Sequence, residues 1–251
     1  ALYSVDCQVE FFPLDGKKGF VLEENFLQAL TEEIDIIFLC NPNNPTGLLV
    51  EKPLLEKILK RCQELDILMA VDECFLDFVP TPEKYTLKEY LETYDNLFLL
   101  KAFTKRYAMA GVRLGYGLCG NKKLLEKIEG VCQPWNVSSM AQAAGLAALQ
   151  EREYVEKGRQ VTFQELAYLK EELAALGYPV YPSQANYVFF TGPADLYEKL
   201  EQKKILIRDC SNYTGLSKGY YRVAVKKHEE NQQLIRALKE IDRTKVENVI
   251  L

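Results

Sequence analysis

The chain has 251 residues but a single histidine, His228, one tryptophan and three methionines. With so little imidazole, Ser-His-Asp and Cys-His nucleophile pairs and multi-histidine metal centres have almost nothing to build with. His228 itself stands beside Glu229 and Glu230 at the start of a helical pattern. The seven cysteines, Cys7, Cys40, Cys62, Cys74, Cys119, Cys132 and Cys210, contain no C-x-x-C pair, so no metal is expected from a zinc framework. Their odd number, without an export signal, points to reduced and mostly buried thiols. The sequons at Asn136 and Asn212 then read as chance matches. No apolar run approaches the ~20 residues needed to cross a bilayer. Residues Ala1 to Phe12 lack the cationic head and hydrophobic centre of a signal peptide, which makes a cytoplasmic address, with no membrane partner, the expectation. An excess of positive charge is also missing. The 31 Lys and Arg stand against 36 Asp and Glu, a net −5, where a nucleic-acid binder would show a basic surface.

What remains is a 48% hydrophobic chain, long enough for one large domain or one with a smaller companion. Short apolar runs alternate with amphipathic stretches in the first half. This is the pattern of an α/β fold, a mostly parallel sheet with covering helices. Strands are expected at Cys7 to Phe12, Ile34 to Leu39, Ile67 to Val71, Leu97 to Leu100 and Leu114 to Leu118. A helix from Pro53 to Leu65 is marked by Leu54, Leu55, Ile58, Leu59 and Cys62 at helical spacing. Consecutive strands in such sheets run the same way, and ligands collect beyond their carboxyl ends. Past Gln133-Pro134-Trp135 the texture changes to long helices, Ser139 to Gln150 and Arg152 to Leu176. Strands follow at Tyr187 to Phe190, Ile205 to Asp209 and Tyr220 to Val225, with helices at Ala194 to Lys203 and His228 to Ile241. The second half thus reads as a smaller α+β domain.

Three segments at expected strand ends carry chemistry. Asn41-Pro42-Asn43-Asn44-Pro45-Thr46-Gly47 is a turn stiffened by two prolines, able to hold an Asn amide at a set angle. Asp72-Glu73-Cys74-Phe75 puts a carboxylate at the end of an apolar strand, where it needs a cation or strong donors. A protonated ring nitrogen would serve. The segment from Lys101 to Tyr116 holds Lys105, with Thr104 and Arg113 supplying a hydroxyl and a guanidinium suited to a phosphate dianion. A lysine among such groups can form a Schiff base with a carbonyl compound.

Together, and in this order, the three segments resemble the fold-type-I pyridoxal-phosphate enzymes of the class I/II aminotransferase group, over nearly the whole chain. The resemblance implies the three-layer, mostly parallel sheet of that group's large domain, incomplete here, over residues 1–135. Connecting helices over 136–160 and a small C-terminal domain over 161–251 would follow. It implies pyridoxal phosphate as cofactor. Lys105 would carry it and move protons at the reacting carbon, and Asp72 would keep its ring nitrogen protonated. Asn44 would bond the ring's 3′ oxygen or lie against the substrate, and Thr104 and Arg113 would hold the phosphate. Arg222, on the strand of Tyr220-Tyr221-Arg222-Val223, would clamp the substrate carboxylate.

Within the group the chain looks most like the histidinol-phosphate aminotransferase branch, and inside it like the threonine-phosphate decarboxylases of cobalamin synthesis. The segment Arg208-Asp209-Cys210-Ser211-Asn212-Tyr213-Thr214-Gly215-Leu216 resembles the decarboxylases' R-D-C-S-N-[FY]-x-G-L. Phe75 stands where most aminotransferases of the group carry Tyr. Arg208 then becomes a second anion-binding residue, and with Arg222 it would grip a phosphorylated amino acid. A histidinol-phosphate-type aminotransferase and a non-catalytic remnant are the other two readings. Ala102 departs from the Ser or Thr that members usually present to the phosphate. The chain also starts where the group is already inside its large domain, so the expected object is part of a parent that forms homodimers. On its own it is expected to hold pyridoxal phosphate weakly or not at all, to be inactive and to self-associate.

Overall fold

The structure, a computed structural model, describes residues 2–249. The first sheet holds β1 (Ile36–Cys40), β2 (Leu68–Asp72), β3 (Leu97–Ala102) and β4 (Gly115–Cys119), paired in that order. α1 (Lys52–Glu64) crosses between β1 and β2, and the single turn α2 (Phe103–Arg106) follows β3 directly. Next come α3 (Lys122–Val131), α4 (Ser139–Ala148) and α5 (Arg152–Ala175). The second sheet is built from β5 (Tyr187–Thr191), β6 (Arg208–Asp209) and β7 (Tyr220–Ala224), with α6 (Leu196–Gln202) and α7 (His228–Val249) beside it.

β1, β2 and β3 are parallel, as their near-continuous apolar runs imply. α1 starts with Pro53 in its first turn, and its stripe of Leu55, Ile58, Leu59 and Cys62 is buried against Met69, Val71, Leu97 and Leu99. A second core lies between α5, α6 and α7 and the sheet of β5 and β7, centred on Leu169, Leu173, Val188, Phe190 and Leu238. α5 ties the two parts together. Its Leu166, Leu169 and Leu173 belong to the second core, and its Arg159 donates to the carbonyls of Val79 at 3.3 Å and Pro80 at 3.1 Å.

Three expectations are corrected. β4 runs antiparallel to β3, with Ala102 opposite Gly115. Reversal places the start of β4, not its end, at the edge where β1, β2 and β3 finish. Cys7 to Phe12 is not a strand: among the described residues no strand pairs with it, and Phe12 instead packs edge-on against Phe26 at 4.9 Å. The strand expected from Ile205 is reduced to Arg208–Asp209, because Leu206 is 72% exposed rather than turned into a core. Asn121 accepts from the Leu124 amide at 3.1 Å and starts α3, a helix beyond those expected from the sequence.

Candidate active site

The carboxyl ends of β1, β2 and β3 and the amino end of β4 share one edge of the first sheet. The loop after β1 is held from within: Asn41, fully buried, accepts from the Val50 amide at 2.9 Å, and Asn43 donates to the Thr46 hydroxyl at 2.8 Å. The bonds Asn41-Pro42 and Asn44-Pro45 are cis. Gly47 closes the loop at φ +72°, and a Cβ there would fall 1.9 Å from the Ser183 hydroxyl oxygen. Gln184 donates to the Gly47 carbonyl at 2.8 Å, so this close approach docks the loop on the second half of the chain. Gly47→Ala is therefore expected to cost about 2–3 kcal/mol from strain and overpacking, read as a lower urea midpoint with an unchanged slope.

Asp72 ends β2. Its Oδ1 accepts from the Cys74 amide at 2.9 Å, and among the described residues no lysine or arginine forms an ion pair with it. Cys40 lies opposite Asp72 in the β1–β2 register. Burial, with the Asp72 charge second, pushes the Cys40 thiol up to about 11. Burial and then the Asp72 carboxylate push Cys74 up to about 12, with the Lys105 ammonium pulling the other way. The adjacent Glu73 is fully buried and meets Lys101 at 2.6 Å. Thr86 donates to both its oxygens, at 3.0 and 2.9 Å, and the Leu87 amide to one at 3.2 Å.

Lys105 sits in α2, its Nζ 5.5 Å from the centre of the Phe75 ring. Thr104 Oγ1 is buried with no hydrogen-bond partner. Arg113 lies at φ +58°, one residue before Leu114, whose carbonyl accepts from the Phe103 amide at 3.1 Å. The antiparallel turn thus returns Arg113 to the edge that carries Thr104 and Lys105. Its guanidinium, however, donates to the Ala110 carbonyl at 3.1 Å, and among the described residues no hydrogen bond joins it to Thr104 or Lys105.

The second sheet faces this edge with two guanidiniums. Arg222 on β7 donates to Asn44 Oδ1, although the two residues are 178 positions apart, and lies 4.9 Å from the centre of the Tyr187 ring. Arg208 on β6 stands directly opposite Arg222 in the antiparallel register. It donates to Asn212 at 2.9 Å and lies 5.7 Å from the Tyr213 ring. Tyr213 in turn donates to Asn44 Oδ1 at 3.3 Å. Like charges facing each other across a ladder are unfavourable, and an anion between them reverses the sign. Phe75 packs edge-on against Tyr187 at 5.2 Å, which joins the two groups: Lys105, Phe75, Tyr187, Arg222, Asn44, Tyr213 and Arg208 follow one another in contact. An open cleft of about 400 Å³ is lined by Phe75, Tyr187, Leu206, Arg208 and Arg222, while Asn44, Asp72 and Lys105 lie outside its lining. Tyr187 and Tyr213 were missed as site residues. Tyr187 reads as one more member of an apolar strand, and Tyr213 lies within Arg208 to Leu216 with no local sign of its partner Asn44.

The sequence matches the family described as aminotransferase class I and II over residues 4–238. It is 36% identical over 245 residues to threonine-phosphate decarboxylase of Salmonella typhimurium, covering 96% of this chain and 67% of that protein. It is 31% identical over 240 residues to histidinol-phosphate aminotransferase of Methanococcus aeolicus, covering 93% and 63%. Among solved structures, the histidinol-phosphate aminotransferase of Clostridium acetobutylicum superposes with a TM-score of 0.86 at 30% identity, over 92% of this chain and 70% of that one. The chain spans about two thirds of the length of the curated relatives it matches.

Proposed function

Since this chain belongs to the class I and II aminotransferase family, we propose that it works with pyridoxal phosphate on a phosphorylated amino acid, and that the reaction is decarboxylation of L-threonine O-3-phosphate. One observation carries the substrate class: Arg208 and Arg222 face each other across β6 and β7, a pair of fixed cations that suits a molecule bearing both a carboxylate and a phosphate. The relative named threonine-phosphate decarboxylase, the Arg208 to Leu216 segment and Phe75 favour decarboxylation over amino transfer.

The residues present fit the cofactor. Among the described residues, Thr104 Oγ1 is a buried hydroxyl without a partner, and neither Asp72 nor Lys105 takes part in an ion pair. Bound there, pyridoxal phosphate supplies an electron sink for the bond broken at the substrate Cα. Thr104 and Arg113 would hold its phosphate, and Asp72 would hold a proton on its ring nitrogen. Asn44, fixed by Arg222 and Tyr213, would face its 3′ oxygen or the substrate. Lys105 Nζ would deliver the proton that replaces the departing carboxyl group. Phe75 and Tyr187 would keep water from the reacting carbon. Which bond breaks follows from the pose the two arginines impose.

The proposal extends to cytoplasmic work in cobalamin synthesis and to a homodimer. Trp135, Met140 and Leu146, each more than two thirds exposed, support a covered surface. No helix among the described residues is long and apolar enough to cross a membrane. The test is to supply the full-length protein with pyridoxal phosphate and O-phospho-L-threonine and to follow CO₂ and the amino-alcohol phosphate. CO₂ release is expected, and Arg208→Ala and Arg222→Ala should each lower kcat/KM by about a hundredfold or more, from loss of a charge-assisted contact. Keto-acid-dependent turnover of histidinol phosphate without CO₂ would overturn the decarboxylase reading and leave the aminotransferase.

A further inference from the structure

We propose that Tyr187 is a positioning residue for the anion clamp: its hydroxyl holds the loop that presents Asn44 while its ring face carries the Arg222 guanidinium. The inference rests on the reading of Arg222 as a substrate-binding group. Tyr187 is 3% exposed, and its hydroxyl donates to the Asn43 carbonyl at 2.8 Å. Asn44, the next residue, accepts from Arg222, and Arg222 returns to the Tyr187 ring at 4.9 Å. These contacts close a ring through three chain segments, β5, β7 and the loop after β1. The register explains why one side chain reaches both. Tyr187 pairs with Ala224 and Phe189 with Arg222, so Tyr187 and Arg222 are diagonal neighbours on one sheet face.

Each contact suits a positioning role. The ring quadrupole attracts a guanidinium over its face without taking up its N–H donors, which stay available to an anion. The hydroxyl remains a donor, because burial raises its pKa and the Arg222 charge only partly opposes this. A phenylalanine at 187 would keep the face and lose the tie to Asn43. Arg222 would then rest on a loop amide that has lost its tie to β5, and a misplaced clamp weakens grip and pose together.

The experiment compares wild type, Tyr187→Phe and Tyr187→Leu, after circular dichroism and melting confirm that each is folded. The first readout needs no ligand: hydrogen exchange of the Arg222 Nε–H by NMR is expected to be at least about tenfold faster in Tyr187→Phe. An exchange rate within twofold of wild type would overturn the proposal. The second readout is calorimetric binding of O-phospho-L-threonine in wild type, Tyr187→Phe, Arg222→Ala and the double variant. Tyr187→Phe should weaken binding about tenfold when Arg222 is present and less than twofold when it is absent. Equal weakening in both backgrounds would show that the hydroxyl acts independently of Arg222 and would also overturn it. A wild-type protein that does not bind O-phospho-L-threonine would remove the substrate reading, while the exchange measurement would still decide the role of Tyr187. Tyr187→Leu, which loses the face as well, is expected to exceed Tyr187→Phe in both readouts.

Discussion

Lys105→Ala is expected to lower kcat by about 10⁴-fold or more while leaving stability within about 0.5 kcal/mol of wild type. The first number follows from asking one amine to deliver a proton at the reacting carbon, a role that alone contributes about 10²–10⁴ in rate, and also to hold the cofactor in place. The second follows from the position of the side chain. Lys105 is exposed, makes no ion pair among the described residues, and holds its Nζ 5.5 Å from the centre of the Phe75 ring. Surface substitutions of that kind are nearly neutral. Initial-rate assays of the full-length protein with O-phospho-L-threonine, and urea titrations, measure the two quantities. Borohydride reduction in the presence of pyridoxal phosphate, followed by peptide mass spectrometry, should add the cofactor mass at residue 105 in wild type and nowhere in the variant. A variant retaining a tenth of wild-type kcat would remove Lys105 from the chemistry.

Lys101→Ala is expected to destabilise the chain by about 3–5 kcal/mol, the cost of leaving a buried charge without its partner. Glu73 has no solvent exposure and lies one residue past the end of β2, and Lys101 sits near the end of β3 with its Nζ 2.6 Å from Glu73 Oε2. The hydroxyl of Thr86 and the amide of Leu87 complete the shell. These neutral donors cannot balance a full charge. Replacing both members with apolar residues of similar volume, Lys101→Met with Glu73→Leu, should recover most of the loss. Chemical denaturation of the single and double variants tests this. An additive double variant would mean that the two side chains act independently. Because Glu73 follows Asp72 directly, and Lys101 precedes Lys105 by four residues, Lys101→Ala should also lower activity in the fraction that remains folded.

The sequence made one half of the site readable and left the other scattered. Asn44, Asp72, Thr104 and Lys105 lie at or just beyond the ends of apolar runs that mark sheet strands. Their common edge then follows from strand direction. The reversal of β4 could not be read this way, since Leu114 to Leu118 looks alike in either direction. It decides, nevertheless, that Arg113 returns to the edge of Lys105. The contacts of the second half span large separations: Asn44 reaches Arg222 across 178 positions and Tyr213 across 169. No local period encodes such pairs, because they depend on how two separately cored sheets meet. Tyr187 was hidden for a simpler reason. Its ring satisfies the strand pattern completely, and only the hydroxyl carries the added information. The strand expected at Cys7 to Phe12 failed because apolar alternation reports what a backbone could pair with, not whether a partner stands beside it.

The separation of the two cores has a consequence for how such a protein diversifies. The amine and carboxylate proposed for the reaction, Lys105 and Asp72, stand at the edge of one sheet, and the two opposed arginines belong to the other. Substitutions that remodel β6, β7 and their connection can retune which anion is gripped without disturbing the packing beneath Asp72 and Lys105. The seam between them, a glycine with no room for a methyl group and a tyrosine bonded across it, is where such drift would meet resistance. Ancestry should therefore leave its deepest imprint there, and its shallowest along the outer rim near Leu206.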